Sequence, residues 1–229
     1  MSNRHGTMRT PEIRMLRVAL ERPCYRARRR VLVALAAFAV PAVREARAAD
    51  YLAPTPPQTE GPFYPKSIPA EHDSDLTQVT GYATPAQGTR LYLSGRVLAR
   101  DGTPLVGTTV ELWQCDAFGR YHHVGDNGRP RDDGFQGYGV AVTDGEGRYA
   151  FKTIRPVAYS GRMPHLHVKV RTANGAALTT QIYIKGDAAA GDPVIASSPG
   201  GTLERLSIVL APATGFEPGA LSGVFDIVL

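Results

Sequence analysis

The sequence predicts an all-β domain, a β-sandwich or a barrel, preceded by an irregular N-terminal arm. From residue 89 onward, short segments rich in Val, Ile, Tyr, Leu and Thr alternate with Gly, Asp and Asn turns. The chain after residue 88 contains no long amphipathic helix, no internal repeat and no linker. One domain that covers residues 88–229 is the simplest interpretation.

Seven segments have the composition of strands: Leu91–Leu98, Thr108–Trp113, Tyr149–Thr153, Leu166–Arg171, Thr180–Ile184, Leu203–Leu210 and Val224–Leu229. Asp101-Gly102, Asp144-Gly145 and Asn174-Gly175 lie between them and tolerate the positive φ angles of tight turns. The stretch from Phe118 to Tyr138 is a long polar loop, and long structured loops in compact domains are often functional.

Residues 49–87 form the predicted arm, which is rich in proline. Its centre reads APTPPQTEGPFYP, and no apolar period of 2 or 3.6 residues continues through it. We therefore expect an extended segment that lies over the domain.

Residues 1–48 have the features of a twin-arginine-type signal peptide. Arg28–Arg30 precede the uncharged run Val31–Val43, and Ala46–Ala48 gives a small-x-small cleavage pattern. The run of 13 residues is shorter than the roughly 20 that a membrane-spanning helix needs. We expect export to the periplasm, cleavage near Ala48 and no stable membrane insertion after processing. An uncleaved amphipathic anchor or a buried helix is the alternative.

The formal charge of +5 belongs to this leader and not to the domain. Residues 1–48 carry 11 Arg and three Glu, whereas residues 49–229 carry 15 basic and 18 acidic side chains, a net charge of −3. A mildly acidic domain gives no reason to expect a nucleic-acid partner. Cys24 lies in the leader, so the mature chain keeps Cys115 alone and forms no internal disulfide.

A His-x-His pair marks the start of one predicted strand. His165 and His167 lie two residues apart, and side chains at that spacing on a strand point to the same face and can share a metal ion. Two polar residues on the wet face of a half-buried strand are the alternative explanation. The cupin pattern does not fit, because Arg171 stands where its glutamate is expected and residues 168–186 contain no carboxylate.

Tyrosines precede this pair. Tyr121 and Tyr159 lie upstream, and Arg162 stands three residues before His165. Two phenolates with two imidazoles would favour ferric iron over zinc or copper(I). Because the chain has ten tyrosines, spacing alone does not single out these two.

Ordered motifs resemble those of the intradiol ring-cleavage dioxygenases, the family of protocatechuate 3,4-dioxygenase and catechol 1,2-dioxygenase. They are QTEGPFYP in the arm, GTPLVGTTVELWQCDAFGRYHH, VTDGEGRYAFKTIRPVAYSGRMPHLHVKV and LTTQIYIKGD, which together extend over about residues 58–186. The resemblance implies an immunoglobulin-like or transthyretin-like β-sandwich, in agreement with the strand pattern. It also implies a non-haem iron enzyme that cleaves a catechol-type ring with O2 between its two hydroxyl carbons, giving a cis,cis-muconate-type product.

The resemblance assigns roles to individual residues of this chain. One Fe(III) per chain would be held by Tyr121, Tyr159, His165 and His167. The catalytic residues would be Arg162, Gln181 and Tyr159, which can accept a proton, and the substrate-binding residues would be Gly61, Pro62, Tyr64 and His122. The partners would be a small aromatic diol and O2.

Several alternatives stay open at this point. Arg162 has a surface ion pair as its alternative role, and the arm residues have simple packing. Arg129 and Arg131 either attract an anionic substrate or belong to a solvated loop. For the whole chain, the alternative is a noncatalytic transthyretin-like binding module. The segment before the arm lacks the helical dimerisation region expected of the catechol and hydroxyquinol dioxygenases, so the resemblance is greater to a single protocatechuate-type subunit or an exported member of the family. A chain that acts alone, a homo-oligomer and a second subunit all stay open.

Overall fold

The computed structural model describes residues 51–188 and 190–229, so the predicted signal peptide lies outside the described residues. The strands are β1 Arg90–Leu98, β2 Thr109–Trp113, β3 Tyr138–Val142, β4 Arg148–Ile154, β5 His165–Arg171, β6 Ala177–Ile184, β7 Ser207–Ile208, β8 Ala211–Pro212, β9 Leu221–Val224 and β10 Ile227–Val228. The two short helices are α1 Pro193–Ala196 and α2 Thr202–Arg205. No helix of this described part is long and apolar enough to cross a membrane.

The strands form two five-stranded sheets. In the first sheet β1 pairs antiparallel with β4 and parallel with both β9 and β10, and β8 pairs with β9. The second sheet has the strand order β3-β2-β5-β6-β7. One hydrophobic cluster takes residues from both sheets, including Leu91, Phe151, Leu112 and Leu166. The prediction of an all-β sandwich is therefore confirmed.

The arm lies along the domain without forming a strand of its own. Segment 72–76 runs between β3 and β4, the outermost strands at one side of the two sheets. The Val140 amide donates to the His72 carbonyl at 2.9 Å, and the Lys152 amide donates to the Ser74 carbonyl at 2.8 Å. Backbone groups that would otherwise be exposed on two edge strands are satisfied by the arm, which closes this side of the sandwich.

The predicted strand Leu203–Leu210 is wrong. Residues 202–205 form helix α2, and only Ser207 and Ile208 form a strand. Leu203 and Leu206 are three residues apart, a spacing that suits one helical turn, and Leu206 is completely buried. The sequence composition of this segment resembles a strand, but its apolar spacing does not.

The predicted strand Val224–Leu229 is interrupted. Strand β9 ends at Val224, pairing with β1 is broken at Phe225 and Asp226, and β10 begins at Ile227. There the Asp226 carboxylate accepts the Arg96 amide at 2.8 Å. A side chain takes the position of a backbone acceptor, and the strand resumes at Ile227.

Strand β3 was not predicted from the sequence. Its second residue is Gly139, a residue that weakens strand patterns. A Cβ atom at Gly139 would lie 2.4 Å from the Asp73 carbonyl oxygen of the arm. Glycine is needed here because the arm backbone passes directly over the strand.

Candidate metal centre

The candidate metal centre lies on the face of β5 that points away from the core. Leu166, Val168 and Val170 point into the core and are completely buried. His165 and His167 alternate with them and so point to the opposite face. The arm and two loops cover that face, and the two histidines are only 1% and 2% exposed.

The two imidazoles converge and are neutral. Their Nε2 atoms lie 3.1 Å apart. Burial, with the nearby Arg162 charge, lowers the pKa of His165 to about 4. Burial also moves the pKa of His167 well below its ordinary value, with His165 and Arg162 adding to the effect. The Nδ1 atom of His165 lies 2.6 Å from the Met163 carbonyl, so it carries the proton and leaves Nε2 free as a ligand.

Tyr121 and Tyr159 lie beside the histidines. The Tyr159 hydroxyl is 3.5 Å from His165 Nε2, and the two tyrosine rings meet edge to face with centroids 5.2 Å apart. Tyr121 is 2% exposed, and its hydroxyl has no hydrogen-bond partner among the described residues. Burial raises the pKa of both phenols. Two tyrosine rings and two imidazoles therefore meet in one cluster, in which Tyr159 is the partly exposed member.

This cluster fits a ferric ion. A buried hydroxyl without a partner is costly unless another group satisfies it, and a metal ion would do so. Phenolate oxygen with neutral imidazole is a donor set for a hard transition-metal ion. No group of three or more His, Cys, Asp or Glu side chains suited to a metal occurs in residues 51–188 and 190–229. A site here therefore depends on the tyrosines.

A two-residue turn holds Tyr159 next to Arg162. The Arg162 amide donates to the Tyr159 carbonyl at 2.7 Å, and the Tyr159 amide donates to the Arg162 carbonyl at 3.2 Å. The two central residues have positive φ angles, 43° at Ser160 and 77° at Gly161, as in a type I′ turn. A positive φ at a serine is a strained conformation of the kind found at functional sites. The turn places a candidate ligand and a cation side by side.

The Arg162 guanidinium is fixed by two buried partners. Its Nε donates to both Asp192 carboxylate oxygens at 3.0 Å, and its Nη2 donates to Gln181 Oε1 at 2.6 Å. Asp192 is 1% exposed, so this ion pair is not the surface pair considered as the alternative. Burial alone would raise the pKa of Asp192, but the Met163 amide and Arg162 outweigh it and hold that pKa below its usual value.

Asp192 was not predicted as a site residue. It caps α1, accepting the amides of Val194 and Ile195, and Pro193 follows it. Asp-Pro is a recognisable signal for a helix start, yet it carries no information about a contact with Arg162, 30 residues earlier.

Gln181 joins the site to the arm. It pairs with His167 across β5 and β6 and is completely buried. Its Oε1 also accepts the Tyr183 hydroxyl at 2.8 Å, and its Nε2 donates to the Thr59 carbonyl of the arm at 2.9 Å. Every polar atom of the Gln181 side chain is therefore engaged.

The arm brings Gly61 to the cluster, together with a residue that sequence reasoning missed. A Cβ at Gly61 would lie 3.4 Å from His167 Cε1, so the arm backbone packs against that imidazole. Phe63 stacks on Tyr121 with ring centroids 4.7 Å apart. Phe63 lies within the motif GPFYP, which was its available signal. Pro62 is exposed, and Tyr64 directs its hydroxyl to Glu111.

His122 is not brought to the cluster. Its Nε2 lies 3.5 Å from Asp116, and its ring meets Phe135 edge to face. The completely buried Asp116 accepts the amides of Phe118, Arg120 and Asp132 and so fixes both ends of the loop that carries Tyr121. His122 belongs to this loop anchor.

The two loop arginines have different surroundings. Arg129 donates to the Gly119 carbonyl and to Ser160 Oγ at 3.0 Å, so it braces the turn that holds Tyr159. Arg131 forms an exposed ion pair with Asp133. Arg131 therefore belongs to a solvated loop, which is the interpretation that the sequence favoured.

A cavity of about 310 Å³ opens beside the cluster and is lined by Ala158–Met163, Ala188 and Ala190. A larger groove of about 860 Å³ lies near Arg96 and Tyr149, and none of the four candidate ligands lines it. The smaller cavity, which Tyr159 and Arg162 border, is the one relevant to the cluster.

Comparison with known proteins agrees with this geometry. The family model described as Dioxygenase matches residues 59–229. The protocatechuate 3,4-dioxygenase beta chain of Burkholderia cepacia is 39% identical over 167 residues, covering 69% of this chain and 71% of that protein. Catechol 1,2-dioxygenase 2 of Acinetobacter lwoffii is 34% identical over 155 residues, and the chain spans about half (52%) of its length.

Solved structures give the same result. The dioxygenase domain of a dioxygenase carbohydrate-binding fusion from Streptomyces sp. SirexAA-E is 31% identical with a TM-score of 0.58, and the match covers 77% of this chain and 98% of that one. Catechol 1,2-dioxygenase of Acinetobacter radioresistens, 21% identical with a TM-score of 0.61, shares the fold; the match covers 79% of this chain and 65% of that one. The chain belongs to the dioxygenase family and is an intradiol ring-cleavage dioxygenase.

Proposed function

We propose that this enzyme cleaves a single-ring catechol with O2 between its two hydroxyl-bearing carbons, giving a cis,cis-muconate-type product. The reaction would take place at one Fe(III) held by Tyr121, Tyr159, His165 and His167. The observation that supports this is the convergence of four side chains from three separate chain segments in one buried cluster. A noncatalytic binding module gives no reason for that convergence.

The four candidate ligands differ in what they can do. A ferric ion bound there would withdraw electron density from a coordinated catechol and make its ring reactive toward O2. His165 and His167 are neutral and almost completely buried, so they serve as fixed nitrogen ligands. Tyr121 is equally buried, whereas Tyr159 is partly exposed and borders the cavity. Tyr159 is therefore the tyrosine whose phenolate oxygen would be placed to accept a proton from a substrate hydroxyl.

Arg162 would stabilise negative charge on the substrate ring. Its guanidinium is held on two sides by Asp192 and Gln181, so it needs no reorganisation when charge develops. Because arginine stays protonated at any working pH, the cation is always present. Gln181, whose Nε2 donates to the Thr59 carbonyl, accepts the guanidinium from a second side.

The cavity has room for a small substrate. Its volume of about 310 Å³ is at the small end of the range for ligand sites and suits one aromatic ring. Ala158, Ala188 and Ala190 present small side chains along its wall, and Gly161 presents only backbone. One relative is named for protocatechuate and another for catechol, two rings that differ in their substituent. An assay with both compounds will show which ring this enzyme cleaves.

Oxygen uptake by the iron-loaded protein tests the proposal with catechol, protocatechuate and hydroxyquinol as substrates. We expect a muconate-type product from at least one of them, and a semialdehyde would contradict the proposal because it reports cleavage outside the diol. Tyr159→Phe should lower the rate by more than roughly 100-fold, beyond the cost of losing an outer partner of a metal ligand. Tyr149→Phe is the matched control, since that buried tyrosine donates to the Phe225 carbonyl far from the cluster. Equal rates in the two variants would count against the assignment of Tyr159.

A further inference from the structure

A second buried polar group, the carboxylate of Glu111, lies on the same face of the second sheet and is not used by the proposed reaction. Glu111 is 5% exposed and pairs with Lys169 across β2 and β5. Its Oε2 accepts the hydroxyls of Tyr64 at 2.6 Å and Tyr138 at 3.1 Å, and its Oε1 accepts Arg171 Nε at 2.9 Å. Three donors therefore satisfy the two oxygens of one buried carboxyl group.

Only one of the two tyrosines belongs to the arm. The Tyr64 hydroxyl also accepts a hydrogen bond from Arg171 Nη2 at 3.0 Å. Lys169 Nζ lies 4.1 Å from the centre of the Tyr64 ring. The arm residue Glu60 forms an ion pair with the same Lys169. Two arm side chains are thus fastened to β5 directly beyond the two candidate metal ligands on the same strand face.

The fastened segment is also the roof of the cluster. Gly61 packs against His167, and Phe63 stacks on Tyr121. Tyr64 meets Trp113 edge to face at 5.0 Å, and Trp113 in turn stacks on His167 at 4.8 Å. A change in the position of Tyr64 therefore reaches the cluster through the arm backbone and through Trp113.

We infer that Tyr64 is a positioning residue for the active site: its hydrogen bond to Glu111 holds arm residues 59–64 so that Gly61 and Phe63 cover the cluster. Tyr64 does not line the cavity beside Arg162, and its hydroxyl is engaged by Glu111 and Arg171, so the role inferred here is positioning and not the substrate binding expected from the sequence. Phe63 takes the place next to Tyr121. The inference rests on the proposed function only for what the covered site binds.

Tyr64→Phe and Tyr138→Phe form a matched pair that separates this role from a general stabilising one. Each removes one hydroxyl from the same Glu111 oxygen, but Tyr64 is on the arm and Tyr138 is on β3. Hydrogen exchange of the purified full chain, read on peptides that span residues 55–64, reports how firmly the arm is held. We expect roughly tenfold faster exchange in Tyr64→Phe, the size that losing a hydrogen bond to a charged group allows, and no change in Tyr138→Phe.

Kinetics give the second measurement. With the substrate that wild type cleaves, Tyr64→Phe should raise KM by about five- to tenfold and change kcat less, as expected when a covering contact for bound substrate loosens. Lys169→Met removes the contacts that the sheet makes with the arm residues Glu60 and Tyr64 through the Lys169 ammonium group. This variant should speed exchange of the same peptides even where Tyr64→Phe fails to fold. Equal exchange at residues 55–64 in wild type, Tyr64→Phe and Lys169→Met would overturn the inference. If wild type cleaved no catechol, the exchange result would still decide the role of Tyr64.

Discussion

The two faces of β5 differ in what covers them, although they are made by alternate residues of one seven-residue strand. The core face is covered by the first sheet, and Leu166, Val168 and Val170 need only be apolar to pack there. The outer face is covered by irregular segments, the arm and the loops that carry Tyr121 and Tyr159. We therefore expect stability to depend mainly on the core face and the proposed chemistry to depend on the outer face.

Substitution of neighbouring residues on the two faces should have opposite effects. His167→Ala should abolish iron binding and lower activity by more than roughly 100-fold, because a ligand is lost from the middle of the cluster. Its thermal midpoint in the metal-free state should fall less than that of Leu166→Ala. Iron content and oxygen uptake measure the first effect, and a thermal melt measures the second.

Leu166→Ala should show the reverse pattern. Removing this completely buried side chain should cost about 2–5 kcal/mol of unfolding free energy, while the folded protein still binds iron. Denaturant unfolding and iron content check the two halves of the expectation. If folded Leu166→Ala lost its iron, packing on the core face and iron binding on the outer face of β5 would not be independent of each other.

Asp192→Asn tests how far the outer face depends on residues outside the cluster. The neutral amide keeps the shape of the helix cap but removes the charge that holds Arg162. We expect a fall in kcat of roughly tenfold, at the lower end of the cost of an outer partner, with iron content unchanged. Arg162→Lys should be no more active than Asp192→Asn, since lysine cannot bridge Asp192 and Gln181 in the same fork geometry.

The smallest expected effect concerns acid stability through Asp116. Burial alone would raise the pKa of the Asp116 carboxyl. The hydrogen bonds that Asp116 accepts from His122 and from backbone amides outweigh burial, so the pKa of Asp116 in the folded protein is lowered. The folded state then binds fewer protons than the unfolded state, whose Asp pKa is about 3.9. The stabilisation is present above that value and is lost as pH falls through the lower, folded pKa.

Asp116→Asn should accordingly be less stable than wild type at pH 6, and the gap should narrow toward pH 2. A change of about 2–4 °C in Tm corresponds to 1 kcal/mol for a chain of this size. Thermal melts of both proteins across this range measure the gap. A constant gap at all pH values would show that Asp116 does not titrate with folding.

Local patterns were enough to predict most of the sandwich and the shared face of His165 and His167. The alternation of apolar and polar residues in a strand and the residues of a turn are patterns of a few consecutive positions, so they can be recognised in the sequence. The four-ligand set came from the family resemblance, because ten tyrosines left spacing undecided. The contacts of Asp192 with Arg162 and of Tyr64 with Glu111 span 30 and 47 residues, and no local pattern indicates them. The export signal stays a prediction.

The visible absorption of the iron-loaded protein shows whether Tyr121 and Tyr159 hold a ferric ion together with the two histidines. Phenolate bound to ferric iron gives a charge-transfer band, so we predict a burgundy protein with one iron per chain. We also predict that Tyr121→Phe alters the band while Tyr149→Phe leaves it unchanged. A colourless protein that holds stoichiometric ferric iron would contradict the account.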